Sequence, residues 1–160
     1  MTEVKSNGSN VTRRVSIKKT YSAKPSEVVR RWYLIDANDT SLGRVATVAA
    51  SLLLGKGKVS FTKHIDCGDF VIIVNADNLK VTGNKESDKM YHRHSSHPSG
   101  LHSRTLHEMS NVDVLRHAIG GMLPTNKLKD DRMKRLKVYS TLEHPHDPQK
   151  PVTLKIKEKK

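Results

Sequence analysis

The chain has 160 residues and a formal net charge of +13, from 29 Lys and Arg against 16 Asp and Glu. That length suits one domain with a core, with no composition break that would mark a second, and the charge excess is far beyond what solubility requires, so it points to a polyanionic partner. No apolar run is long enough for a membrane span or a lipid-binding amphipathic face, and the single Cys67 excludes an internal disulfide and fits a reducing compartment.

From Met1 to Val29 the chain is polar, serine-bearing and basic, with the pairs Arg13-Arg14 and Lys18-Lys19. It reads as a basic N-terminal extension over residues 1–30 without a core of its own, either a solvated tail or an arm that orders on RNA. An organellar transit peptide has a similar composition. Order is expected from Trp32, where Trp32 to Asp36 forms a strand-like run closed by the turn residues Asn38 and Asp39.

A helix follows, capped by Thr40 or Ser41, with Leu42, Val45, Ala46, Ala49 and Leu53 making one buried stripe and Gly55 ending it. The segment Gly55-Lys56-Gly57-Lys58 lacks the spacing and the strand-to-helix context of a phosphate loop, and reads as a flexible basic turn. Phe70 to Val74 is a continuous apolar run expected to form a strand covered on both faces. Asp66 and Asp69 before it are assigned to turn formation. Asn75 to Asn78 turn the chain, and Leu79 to Thr82 alternates as a further strand.

Lys85 to His107 carries five of the nine histidines and is interrupted by Pro98, Ser99 and Gly100. It reads as a short strand over Lys89 to His92 followed by a long surface loop. A helix over Asn111 to Met122 follows, with a capping box from Ser110 and Asp113 and a stop at Gly120-Gly121. A basic helix is expected over Asn126 to Leu136, in which Asp130 pairs with Lys134 and Asp131 with Arg135, leaving Lys127, Lys129 and Arg132 freer for phosphate. Lys137 to Tyr139 is a short strand candidate, His144-Pro145-His146 a rigid turn, and residues 148–160 an extended basic tail.

No catalytic apparatus emerges. His92, His94 and His97 could present imidazoles to zinc, but one cysteine and irregular spacing do not make a structural site, so no metal and no cofactor are expected. Cys67 three residues from His64 is better explained as a small buried hydrophobe than as a nucleophile. Aromatic residues make up only 4% of the chain, with none paired on a strand for base stacking. Charge spread over tails, loop and helix instead suits many phosphate contacts to a large folded RNA. A metal-dependent enzyme using the His92 to His107 loop and a free messenger-RNA regulator stand as the alternatives.

The motifs WYLIDA with SLGRVAT (Trp32 to Thr47), GDFVIIVNA (Gly68 to Ala76), KVTGNK (Lys80 to Lys85), KMYHRHS (Lys89 to Ser95), GMLP (Gly121 to Pro124), and LKVY with HPH (Leu136 to His146) occur in that order. Together they resemble the universal large-subunit ribosomal protein number thirteen family in its bacterial form. The resemblance implies a three-layer α/β/α domain around a mostly parallel four-stranded sheet, over residues 31–147 with basic tails on both sides. It implies a non-enzymatic structural protein that binds large-subunit ribosomal RNA, neighbours other large-subunit proteins and joins assembly early. It would act as a monomer within the ribosome, in the cytoplasm or, alternatively, an organellar matrix, with no membrane and no small-molecule substrate.

By motif correspondence the resemblance places Lys85, Lys89, Tyr91, His94, Ser95, Leu123, Lys127, Arg132, Arg135, Lys137 and His146 on or near RNA; charge alone adds Lys129, Arg13, Arg14, Lys18 and Lys19. The chain departs from the family where glycines are usual: it has Ser96 and Ser99 in the loop after the tyrosine strand, Ser140-Thr141 after LKVY, and Lys129-Asp130-Asp131 in a connection. Glycine permits positive φ, so these loops are expected to follow a different backbone path.

Overall fold

The computed structural model describes residues 21–156. Strand β1 (Trp32–Asp36) leads into helix α1 (Leu42–Leu54), which returns to β2 (Phe70–Val74). After a 3₁₀ turn come α2 (Lys85–Asp88), β3 (Met90–His94), β4 (Leu101–Thr105), α3 (Asn111–Met122), α4 (Leu128–Lys134), β5 (Leu136–Val138), another 3₁₀ turn over Asp147–Gln149 and β6 (Val152–Leu154). The main sheet has the order β5-β2-β1-β6 and every pair in it is parallel. The α/β class and the four parallel strands are as expected.

The order of the strands decides what covers each face. The crossovers from β1 to β2 and from β2 to β5 step in one direction along the sheet, so right-handed connections put α1 and α3 on the same side. There Val45, Ala49 and Leu53 of α1 meet Leu115 and Ile119 of α3 over Ile35, Val71, Ile73, Leu136 and Val138. The last connection runs back across the sheet from β5 to β6, and the same handedness carries residues 139–151 over the opposite face. On that face Trp32 and Phe70 stack with centroids 4.2 Å apart, and His146 lies 5.3 Å from Trp32. Val71 to Val74 are consequently all buried, whichever side they point to.

Several boundaries differ from the sequence expectation. Leu79 to Thr82 makes no strand; a single bridge between Ser41 and Lys80 is all that pairs there. The fourth strand is instead Val152–Leu154, alongside β1, so part of the segment read as an extended tail belongs to the sheet. The expected histidine-rich loop is an antiparallel hairpin, β3 with β4. Helix α3 has the expected bounds, Asn111–Met122, but its glycines are not what stops it: it runs through Gly120 and Gly121 to a cap at Leu123, extended at ψ 144°, because Pro124 disfavours helical geometry in the residue before it. Gly55 does end α1, left-handed at φ 74° with its amide on Leu52 O.

Ser96 and Ser99 have φ of 65° and 62°. The hairpin turn therefore holds two L-residues in the left-handed region that glycine favours. At Ser140-Thr141 no positive φ occurs; the carbonyls of Tyr139 and Thr141 instead accept from the amides of Ala76 and Asn75 at 3.1 Å each.

Candidate nucleic-acid interface

The sheet is parallel, so its strands all start at one edge and end at the other, and two separate groups of charged side chains result. Chain leaving the ends of the strands forms the first. After β2 it runs through α2 and the β3-β4 hairpin before entering α3. Strand alternation places Met90, His92 and His94 opposite Thr105, Ser103 and Leu101 on one face of the hairpin, and Tyr91 and Arg93 opposite Arg104 and His102 on the other.

The Tyr91 ring is a contact of this hairpin with the body. It lies 5.3 Å from the His117 ring of α3, Lys89 Nζ stands 5.3 Å over its face, and its hydroxyl is buried without a partner among the described residues. Lys85, Lys89, Arg93, His94, Ser95, His102 and Arg104 are all exposed. A two-stranded hairpin with so little apolar cover gains little from packing, and it presents its cations and imidazoles outward.

The histidines there do not form a ligand set. His94 Nδ1 accepts from the Ser96 amide at 2.9 Å, and His92 Nδ1 is 2.8 Å from Ser103 Oγ. Among the described residues no group of three His, Cys, Asp or Glu is placed to hold a metal ion. Cys67 is buried and donates to Ser60 O at 3.6 Å, whereas His64 Nε2 faces Ser22 Oγ at 3.4 Å.

The second group lies where β1, β2 and β5 begin. Arg135 forms a two-pronged pair with Asp66, Nη2 reaching Oδ1 at 2.6 Å and Nη1 reaching Oδ2. Arg132 Nε stands 3.4 Å from the same carboxylate and Arg30 Nη2 3.6 Å. Three residues on, Asp69 Oδ1 accepts from Lys58 Nζ at 2.6 Å and from the Arg31 amide at 2.8 Å, while Lys58 also reaches Val29 O and Cys67 O. Asp66 and Asp69 thus organise buried cations and are not merely turn formers. Lys58 is a tethered structural lysine and not part of a flexible turn.

These contacts correct three expectations. Arg132 is 1% exposed and engaged by Asp66, so it is not a free phosphate-contacting side chain. Arg135 turns inward to Asp66 and leaves Asp131 to pair with Lys134 at 3.0 Å. Leu123 is 3% exposed and packs in the core. On α4 and its cap, Lys127 is exposed and Lys129 half-buried.

Lys137 and His146 lie together on the sheet face crossed by residues 139–151. His146 Nε2 is 2.9 Å from the Tyr139 hydroxyl, and its pKa is lowered by desolvation first and by the nearby His144 and Lys137 second. Arg13, Arg14, Lys18 and Lys19 lie outside the described residues. Arg30, Arg93 and Arg104 were missed in the sequence. The arginines of the hairpin become legible once Ser96 to Gly100 is taken as a turn; Arg30 carries no local signal, since its partner is 36 positions away in the chain.

The Ribosomal protein L13 family model matches residues 30–145. The chain belongs to this family. Relatives described as "Large ribosomal subunit protein uL13" agree: that of Cupriavidus metallidurans is 52% identical over 141 residues, covering 86% of this chain and 99% of the relative. Those of Laribacter hongkongensis and Bacillus cereus are 50% and 48% identical over the same length, covering 99% and 97% of the relatives. Two of the segments that carry the resemblance lie in the charged groups: KMYHRHS builds the first hairpin strand, and GDFVIIVNA begins at Gly68 next to Asp69.

Proposed function

We propose that this protein is a structural constituent of the large ribosomal subunit that binds large-subunit ribosomal RNA through phosphate and shape contacts and supports early subunit assembly. The observation that carries it is family membership across residues 30–145. The surface chemistry agrees with it. A basic hairpin with outward cations and imidazoles, exposed Lys127 and a net charge of +13 suit backbone phosphates; against the sequence expectation one aromatic pair does stack across strands, Trp32 on Phe70, but it is half-buried with the His146 ring 5.3 Å from Trp32.

In this reading the contact residues are Lys85, Lys89, Tyr91, His94, Ser95, Lys127, Lys129 and Lys137, joined by Arg93 and Arg104 on the hairpin and by Arg13, Arg14, Lys18 and Lys19 in the N-terminal arm. His146 acts from within, its ring edge held by Tyr139. The partners are ribosomal RNA and neighbouring large-subunit proteins, one copy per subunit, in the cytoplasm, and the protein catalyses no reaction. Among the described residues no helix is long and apolar enough to cross a membrane. Sedimentation of a tagged chain through a sucrose gradient tests this: it should travel with large subunits and their precursors. Tagged protein that stays at the top of the gradient would sink the reading.

A further inference from the structure

The Asp66 cluster holds more positive charge than its carboxylate can satisfy. Arg135 takes both oxygens in its two-pronged pair. That leaves Arg132 and Arg30 with contacts of only 3.4 and 3.6 Å, so two of three guanidiniums are held weakly. Arg132 is 1% exposed, and its Nη1 is buried with no partner among the described residues, as is Nε of Arg135. The charge of the neighbouring carboxylate is already matched, because Asp69 Oδ1 accepts from Lys58 Nζ as well as from the Arg31 amide. A buried guanidinium without a matched anion is unfavourable, and an anion brought from outside removes the imbalance.

Access to the cluster is through Arg30. Its side chain is 43% exposed, against 12% for Asp66 and 8% for Arg135, so it is the member of the cluster that solvent reaches most. A guanidinium has a planar fork that matches two phosphate oxygens. Gly68 keeps the cluster close to the sheet: an added Cβ there would lie 2.9 Å from Arg135 Nη2.

We propose that Arg30, backed by Arg132 and Arg135, is a receptor for one backbone phosphate of the RNA, and that Asp66 is the internal anion that aligns the guanidiniums for it. This rests on the RNA-binding reading above and extends it to the edge of the domain where the strands begin, away from the basic hairpin.

Two measurements test it. The first is the salt dependence of binding to large-subunit ribosomal RNA stripped of protein. Losing one phosphate contact lowers the slope of log K against log salt by about 0.7–0.9, so Arg30→Ala should show that drop and Arg30→Lys should recover part of the affinity. The second uses inorganic phosphate against chloride at matched ionic strength. Asp66→Asn, which removes the internal anion, should melt lower than wild type in chloride and regain more Tm from phosphate than wild type does. If Asp66→Asn does not fold, the Arg30 pair decides alone. Equal slopes for wild type and Arg30→Ala, or a folded Asp66→Asn protein that answers phosphate and chloride alike, overturn the receptor and leave the ribosomal reading standing. A wild-type chain that does not bind the RNA overturns both.

Discussion

Gly68→Ala should be among the most damaging single-atom additions to this protein. Gly68 sits between Cys67 and Asp69 immediately before β2, and an ideal Cβ built on it would lie 1.8 Å from Leu53 O and 2.6 Å from Leu53 C in the last turn of α1. Both obstacles are backbone, so no rotamer change relieves them. The loop must move away from the helix, which strains the Asp69 amide bond to Leu52 O at 3.1 Å and the Phe70 amide bond to Arg31 O at 2.9 Å, and pushes Arg135 off Asp66. Overpacking costs about 1–3 kcal/mol and each of the two weakened hydrogen bonds roughly 0.5–1.5 kcal/mol, so a loss of about 2–6 kcal/mol is expected. Against a typical net stability of roughly 5–15 kcal/mol that is a large fraction. Urea unfolding followed by far-ultraviolet circular dichroism measures it as a drop in midpoint with unchanged slope. Gly121→Ala is the matched control: nothing lies within 4 Å of its added Cβ, and Ala is the better helix former, so its change should fall between zero and a gain of about 1 kcal/mol. A Gly68→Ala loss smaller than about 1 kcal/mol would refute the steric reasoning.

Four further outcomes follow from the geometry. Ser96→Gly and Ser99→Gly each relieve a left-handed residue in the hairpin turn; each should stabilise the hairpin by up to about 1 kcal/mol, read as slower amide exchange across β3 and β4, and faster exchange in both would contradict it. His146 has a pKa lowered from its ordinary 6.5 in the fold, so below that pH the unfolded chain binds the extra proton more readily. Its contribution should be fully present above pH 6.5 and lost as pH falls through the lowered value, and His146→Gln should flatten that part of a Tm-against-pH curve. Tyr91→Phe removes a buried hydroxyl that has no partner among the described residues; it should not lower Tm, whereas Tyr91→Ala should, and a destabilised Tyr91→Phe protein would mean the hydroxyl is satisfied within the fold. Arg104→Ala on the exposed hairpin should leave Tm within error and reduce the salt slope of RNA binding by about 0.7–0.9; an unchanged slope would remove Arg104 from the interface.

Patterns that depend on neighbours in the chain were readable from the residues alone. Trp32 to Asp36, the stripe of α1 with its Gly55 end, Phe70 to Val74 and the Ser110 cap of α3 all rest on periodicity, capping and turn chemistry, which act over a few residues. Serine at 110 does accept from the Asp113 amide at 3.2 Å. Leu79 to Thr82 shows the limit of that method. Its alternation fits a strand, yet the position beside β1 is taken by Val152–Leu154, a stretch too short and too close to Pro151 to stand out.

The candidate site divides in the same way. Composition was enough to point to a polyanionic partner, and the ordered motifs were enough to point to the family, because charge and motif order need no coordinates. Which cations face outward was decided only by the tertiary structure. Arg132, Arg135 and Lys58 look like Lys127 in the sequence, but Asp66 and Asp69 draw the first three inward across 66, 69 and 11 positions. An ion pair with so large a separation leaves no periodic trace in the chain, and it is the return of β5 alongside β2 that brings its partners together.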